Sequence, residues 1–92
     1  MLYILFCEDK PDSLELRLAN RKNHLSWAST KAENIKLAGP MLSNDNETMI
    51  GSLFILEASS LEEVKKMNQE DPYTKAGLWG NVTIRPFRQS IP

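Results

Sequence analysis

Two segments of this chain, LYILFC at residues 2–7 and LFIL at residues 53–56, are apolar at every position. Successive side chains of a strand point to opposite faces, so a sheet with one wet face alternates apolar and polar residues. Strands that are apolar in both phases need cover on both sides. In a chain of 92 residues one layer of helices exhausts the material, and nothing is left for the other face. The expectation is a sheet with helices on one side and a second copy of the chain on the other, a homodimer formed through sheet faces.

The order of the remaining elements sharpens that expectation. Met1–Cys7 reads as the first strand, closed by Glu8-Asp9-Lys10-Pro11. Asp12 with Glu15, or Ser13 as the alternative cap, starts a helix expected to run to about Asn34. IKLAGPML (35–42) reads as a short strand interrupted by Gly39-Pro40, followed by turn residues Ser43-Asn44-Asp45-Asn46. Met49–Glu57 completes a hairpin with it. Ser60 and Glu63 form a capping box for a second helix whose Leu61, Val64 and Met67 share one side. Asn81–Phe87 is the last strand, and Pro86 confines it to an edge because proline cannot donate to a ladder. The order β-α-β-β-α-β is the split βαβ arrangement of ferredoxin-like α+β domains with an antiparallel sheet. A single domain over residues 1–92 accommodates it.

Composition excludes several functions. The formal net charge is −1, which offers no broad attraction to nucleic acid or to an anionic membrane. The apolar run at the N-terminus lacks a positive flank and is too short for a signal peptide or a span, so a cytoplasmic location is the default. The single cysteine, Cys7, has no partner for an intrachain disulfide and reads as a buried inert thiol. One histidine and one cysteine make a closed zinc site unattainable without several carboxylates, so neither a metal nor another cofactor is expected.

The first helix carries misplaced polar residues. On a helical wheel Leu14, Leu18, Leu25, Ala28 and Ala32 share one stripe. Arg21 falls inside that stripe, while Arg17 and His24 line its flank. An arginine aimed at a core either snorkels or meets an acid, so Arg21 is expected to be mostly buried and paired with an acid or a ligand anion. Leu16 and Trp27 fall on the opposite side as exposed apolar residues or as a second contact surface.

The segment NQEDPYTKAGLW (68–79) supplies the acid for a site. Pro72 restrains Asp71 to an extended conformation. Asp71 then stands beside the end of the second helix, on the sheet face shared with the first. From there its carboxylate reaches His24, in a cleft also lined by Gly39, Pro40 and Tyr73. A carboxylate beside an imidazole fixes its tautomer. Asp71-Pro72 equally caps a short helical turn over Tyr73–Ala76, with Pro72 at its first position. Both roles are compatible.

Taken together, the N-terminal apolar strand, DSLELRLANRKNHL, AGPM, GSLFILEASSLEE and DPYTKAGLW followed by VTIRPF resemble the YCII-related (YciI-like) family across essentially the whole chain. The resemblance implies a ferredoxin-like dimer of the α+β barrel type with a site built round a histidine–aspartate pair. By motif these are His24 in RKNHL and Asp71 in DPY, with Arg21 and Ser52 matching the arginine and the Gly-Ser serine. Members of the family with an assigned reaction include a dehydrochlorinase acting on a chlorinated hydroxyquinol, and the dimer resembles muconolactone isomerases. The chain departs from the family at Lys22-Asn23, where many members carry a proline and a small residue.

Two functions follow as expectations. One is a small-molecule enzyme of lyase or isomerase type. In it His24, oriented by Asp71, moves a proton on a small, cyclic organic acid or enol. Arg21 stabilises an oxyanion or binds a carboxylate, Ser52 donates a hydrogen bond, and Tyr73, Gly39 and Pro40 shape the pocket. The other is a dimeric module that binds a small ligand without turnover.

Overall fold

The computed structural model describes residues 1–92. Strand β1 spans Leu2–Asp9, helix α1 Leu14–Ser29, β2 Ile35–Leu42 and β3 Met49–Glu57. Helix α2 spans Leu61–Glu70, the short helix α3 Pro72–Lys75, and β4 Trp79–Phe87. The four strands form one antiparallel sheet in the order β2-β3-β1-β4. This is the ferredoxin-like α+β arrangement read from the sequence, with β4 at an edge as Pro86 requires.

Register explains why β1 and β3 are apolar throughout. Tyr3, Leu5 and Cys7 lie opposite Leu56, Phe54 and Ser52. This phase is buried and forms the core with Val64 and Met67 of α2. Leu2, Ile4 and Phe6 take the other phase, in register with Glu57, Ile55 and Leu53. That second face carries no helix, and Ile4, Phe6, Leu53 and Ile55 are only half-buried.

Some details differ from expectation, and β1 and β4 each run two residues further at one end, to Asp9 and from Trp79. Helix α1 stops at Ser29 instead of about Asn34. The Ser29 and Thr30 hydroxyls donate to the carbonyls of Ser26 and Trp27, both at 2.6 Å, and so compete with further helix. Asn34 is meanwhile claimed by β3, through Glu57 N–H to Asn34 O at 2.7 Å and Asn34 Nδ2 to Glu57 O at 2.9 Å. At the other end Ser13 holds the cap position without capping a helix N–H, its hydroxyl donating instead to Pro11 O at 3.3 Å, and Asp12 is left in the left-handed region at φ 56°. Strand β2 runs unbroken through Gly39-Pro40. It is an edge with β3 as its sole neighbour, so the missing proline N–H breaks no ladder. Helix α2 begins as read, with Glu63 N–H donating to Ser60 Oγ at 3.2 Å.

The orientation of α1 corrects the helical-wheel reading. Leu14, Leu18 and Leu25 are exposed at 37%, 52% and 48%, and Arg21 among them is exposed as well. The inward positions belong to Arg17, His24 and Trp27, one residue step round the helix. Arg17 and His24 each find an acid there, so the polar side chains, not the leucines, set the rotation of α1 about its axis. Trp27, expected outside, packs against the core.

Candidate active site

Between α1 and the helix-facing side of the β2–β3 hairpin lies a cavity of about 440 Å³. Its walls are mostly apolar, from Leu25 and Ala28 of α1, Ile35, Ala38 and Pro40 of β2, and Met49 and Phe54 of β3. Its polar members are Arg17, Arg21, His24, Ser29, Ser52 and Tyr73, and no acid lines it. The structure therefore brings His24, Arg21, Ser52, Tyr73, Gly39 and Pro40 round one cavity. Asp71 stands behind His24, away from the lining.

His24 Nδ1 lies 2.7 Å from Asp71 Oδ1. The same oxygen accepts the Tyr73 N–H at 2.9 Å, so Asp71 also caps α3. Both readings of Asp-Pro-Tyr hold together. Asp71 is extended at φ −63°, ψ 126°, as a residue before proline must be. Gly77, at φ 76°, then turns the chain into β4. The Asp71 side chain is fully buried, and Oδ2 takes no hydrogen bond from the chain. An ionised carboxylate only accepts, so an imidazole that donates to it from Nδ1 keeps Nε2 as its second, outward nitrogen.

Aromatic rings enclose the imidazole. Tyr73 stacks on it with centroids 3.9 Å apart and planes 13° from parallel. Phe54 meets it edge-on at 6.1 Å, and Trp27 is tilted at 5.9 Å. Burial pushes the Tyr73 phenol above its ordinary range, against the opposing pull of Arg17 and Arg21, so the ring stays neutral. Burial, with the charges of Asp71 and Asp9, likewise pushes the Cys7 thiol up to about 12. A thiol held so firmly protonated is no nucleophile, as the sequence suggested.

Arg21 sits at the cavity rim, exposed and without an acidic partner, in place of the buried pair expected of it. The buried arginine is Arg17. Its Nε and Nη2 donate to Asp9 Oδ2 and Oδ1 at 2.8 and 3.0 Å, and Nη2 also donates to Ser52 Oγ at 2.9 Å. The guanidinium lies 4.8 Å from the Tyr73 ring centre. From sequence Arg17 was grouped with Arg21 and His24 along one side of α1 without a role in the site, and Asp9 was not singled out. The available signal was the position of Asp9 at the end of β1, one helix turn's reach from α1. No group of three or more His, Cys, Asp or Glu side chains converges as a metal site would require.

Comparison with known proteins agrees with this architecture. The YCII-related domain matches residues 1–88. Protein YciI of Escherichia coli O6:H1 is 36% identical over 97% of this chain and 98% of its own length. Fusaric acid biosynthesis protein 2 of Gibberella fujikuroi is 30% identical over 94% of this chain and 91% of its own. Among solved structures, the 5-chloro-2-hydroxyhydroquinone dehydrochlorinase of Burkholderia phenoliruptrix AC1100, in complex with 2,5-dihydroxybenzoquinone, superposes with a TM-score of 0.91. That pair is 33% identical over 98% of this chain and 96% of the dehydrochlorinase. The chain belongs to the YCII-related family.

Proposed function

We propose that this protein is a small-molecule enzyme of lyase or isomerase type that moves a proton on a small cyclic organic acid or enol. The observation that carries the reading is the His24–Asp71 contact at 2.7 Å on the wall of an apolar cavity. With Nδ1 committed to Asp71, Nε2 acts as the general base. It takes a proton from carbon, whose electron pair moves onto a conjugated carbonyl oxygen as an enolate, or from a hydroxyl, whose pair stays on that oxygen. The imidazolium so formed is matched by the Asp71 carboxylate. Arg21 and Ser52 stabilise the developing oxyanion. Return of the proton to another atom makes an isomerase, and loss of a leaving group makes a lyase. The superposed dehydrochlorinase supports a hydroxylated ring as the substrate class.

The test uses 2,5-dihydroxybenzoquinone in deuterated buffer with parent protein and His24→Gln. Binding is followed by the quinone absorbance and proton transfer by exchange of the ring hydrogens. Accelerated exchange in the parent, lost in His24→Gln, is the expected result. Binding without acceleration would instead make the protein a ligand-binding module, and no binding would remove hydroxylated rings from consideration.

The same proposal includes a homodimer through the open sheet faces. Leu37 and Phe87, exposed at 64% and 36%, extend the half-buried Ile4, Phe6, Leu53 and Ile55 into one apolar surface. Covering such a face at about 25 cal/mol per Å² is worth several kcal/mol. Sedimentation should show a dimer at micromolar concentration that Phe6→Glu converts to a monomer.

A further inference from the structure

Arg17 is a buried polar side chain held by three hydrogen bonds. Its two-pronged bond to Asp9 is almost fully buried, with side-chain exposures of 3% and 5%. A guanidinium has donors and no acceptor, so at the 2.9 Å contact Ser52 Oγ can only accept. The hydroxyl proton of Ser52 therefore points elsewhere. Ser52 is 3% exposed, and its only side-chain hydrogen bond is the one from Arg17. It lines the cavity, so an acceptor for its proton must come from there. A buried hydroxyl without one carries a desolvation penalty. The charge of Arg17 is meanwhile matched by Asp9, and Arg21 is left as the cavity's unmatched cation.

We propose that Arg17, clamped by Asp9, is a positioning residue that fixes Ser52 as a hydrogen-bond donor into the cavity. The site thereby selects ligands that present a carbonyl or ionised oxygen at Ser52. A serine without this clamp rotates freely and meets a hydroxyl donor as readily as an acceptor. This inference rests on the cavity being the ligand site and adds what the ligand must offer there.

The experiment is a double-mutant cycle on the affinity of 2,5-dihydroxybenzoquinone, whose oxygens are of the required kind. Ser52→Ala and Arg17→Met should each weaken binding about tenfold, the worth of one buried hydrogen bond. If Arg17 acts through Ser52, the double variant binds no worse than Ser52→Ala alone. Losses that multiply overturn the proposal. Arg17→Lys, which keeps the charge without the fork, replaces Arg17→Met if the latter fails to fold and should also weaken binding. Arginine side-chain ¹⁵N NMR supplies a ligand-free reading. The Nη2 group of Arg17 should rotate slowly in the parent and faster in Ser52→Ala. Free rotation in the parent, or no response to Ser52→Ala, overturns the clamp. A parent that does not bind the quinone fails the ligand-site reading instead, and the NMR result then decides the clamp.

Discussion

Helices α1 and α2 lie on the same face of the same sheet, yet different physics holds them. In α2 Val64 and Met67 point inward, Lys65 and Lys66 point outward, and Ser60 caps the first turn. Apolar burial is what docks it, a force with no preferred direction, and its polar contacts, Lys31 with Glu70 and Asn34 with Glu63, lie at its partly exposed edge. In α1 the inward residues are Arg17, His24 and Trp27, while Leu14, Leu18 and Leu25 face solvent or the cavity rim. Its rotation is set by two directional contacts, Arg17 with Asp9 and His24 with Asp71. A hydrophobic stripe tolerates a few degrees of rolling, whereas a two-pronged ion pair does not. The helix that carries the base is thus the one fixed by directional bonds, as a preorganised site needs.

The largest effect should come from cutting the α1 anchor. Asp9→Ala leaves the Arg17 charge buried without its carboxylate, which costs ~3–5 kcal/mol. Urea unfolding measures it, and a loss below about 1 kcal/mol would mean that the pair is solvated and does not hold the helix. Beneath α1, Cys7 makes stability depend on alkaline pH. The folded thiol keeps its proton up to about 12, while its ordinary value is 9.0. Between those values the unfolded chain binds fewer protons, so stability falls as pH rises, by on the order of a few kcal/mol. Cys7→Ala should flatten most of that slope, leaving a residue from Tyr73, whose raised value acts in the same direction. A parent and a variant with identical alkaline melts would show the thiol to be accessible. On α2, removing the cap with Ser60→Ala should cost only about 1 kcal/mol and leave the cavity geometry, read from the His24 NMR signals, unchanged.

The comparison also shows what could be read from the residues. The two-phase strands, the Ser60 cap and Pro86 at an edge follow from local rules, and each reappears in the fold. Asp71 beside His24 followed from backbone restriction at Asp-Pro and the placement of both helices on one face. The rotation of α1 did not follow. Helical periodicity weighs apolar side chains, whereas here two inward polar residues are matched by acids 8 and 47 positions away. A pairing between distant residues leaves no trace in a local pattern, so the wheel chose the leucines and placed Arg21 inside. Arg17 had been set on the flank of that stripe, and its partner Asp9 read as the end of a strand. The termination of α1 was missed for the same reason, since Asn34 is held by β3 across the fold.

The smallest effect tests that rotation most directly. Leu18 stands at the centre of the apolar stripe, and an inward-facing leucine cut to a polar residue would cost at least the ~2–5 kcal/mol of a core truncation. In the structure it is 52% exposed, and an exposed position away from any cap or charge pair shifts stability by less than about 0.5 kcal/mol. Leu18→Gln keeps side-chain length and helix propensity, so neither packing nor backbone preference masks the result. The expected outcome is an unchanged urea midpoint. A large loss would put Leu18 in the core and turn Arg17 outward, away from Asp9 and Ser52. It would also turn His24 off the line to Asp71, because one rigid helix carries all three side chains.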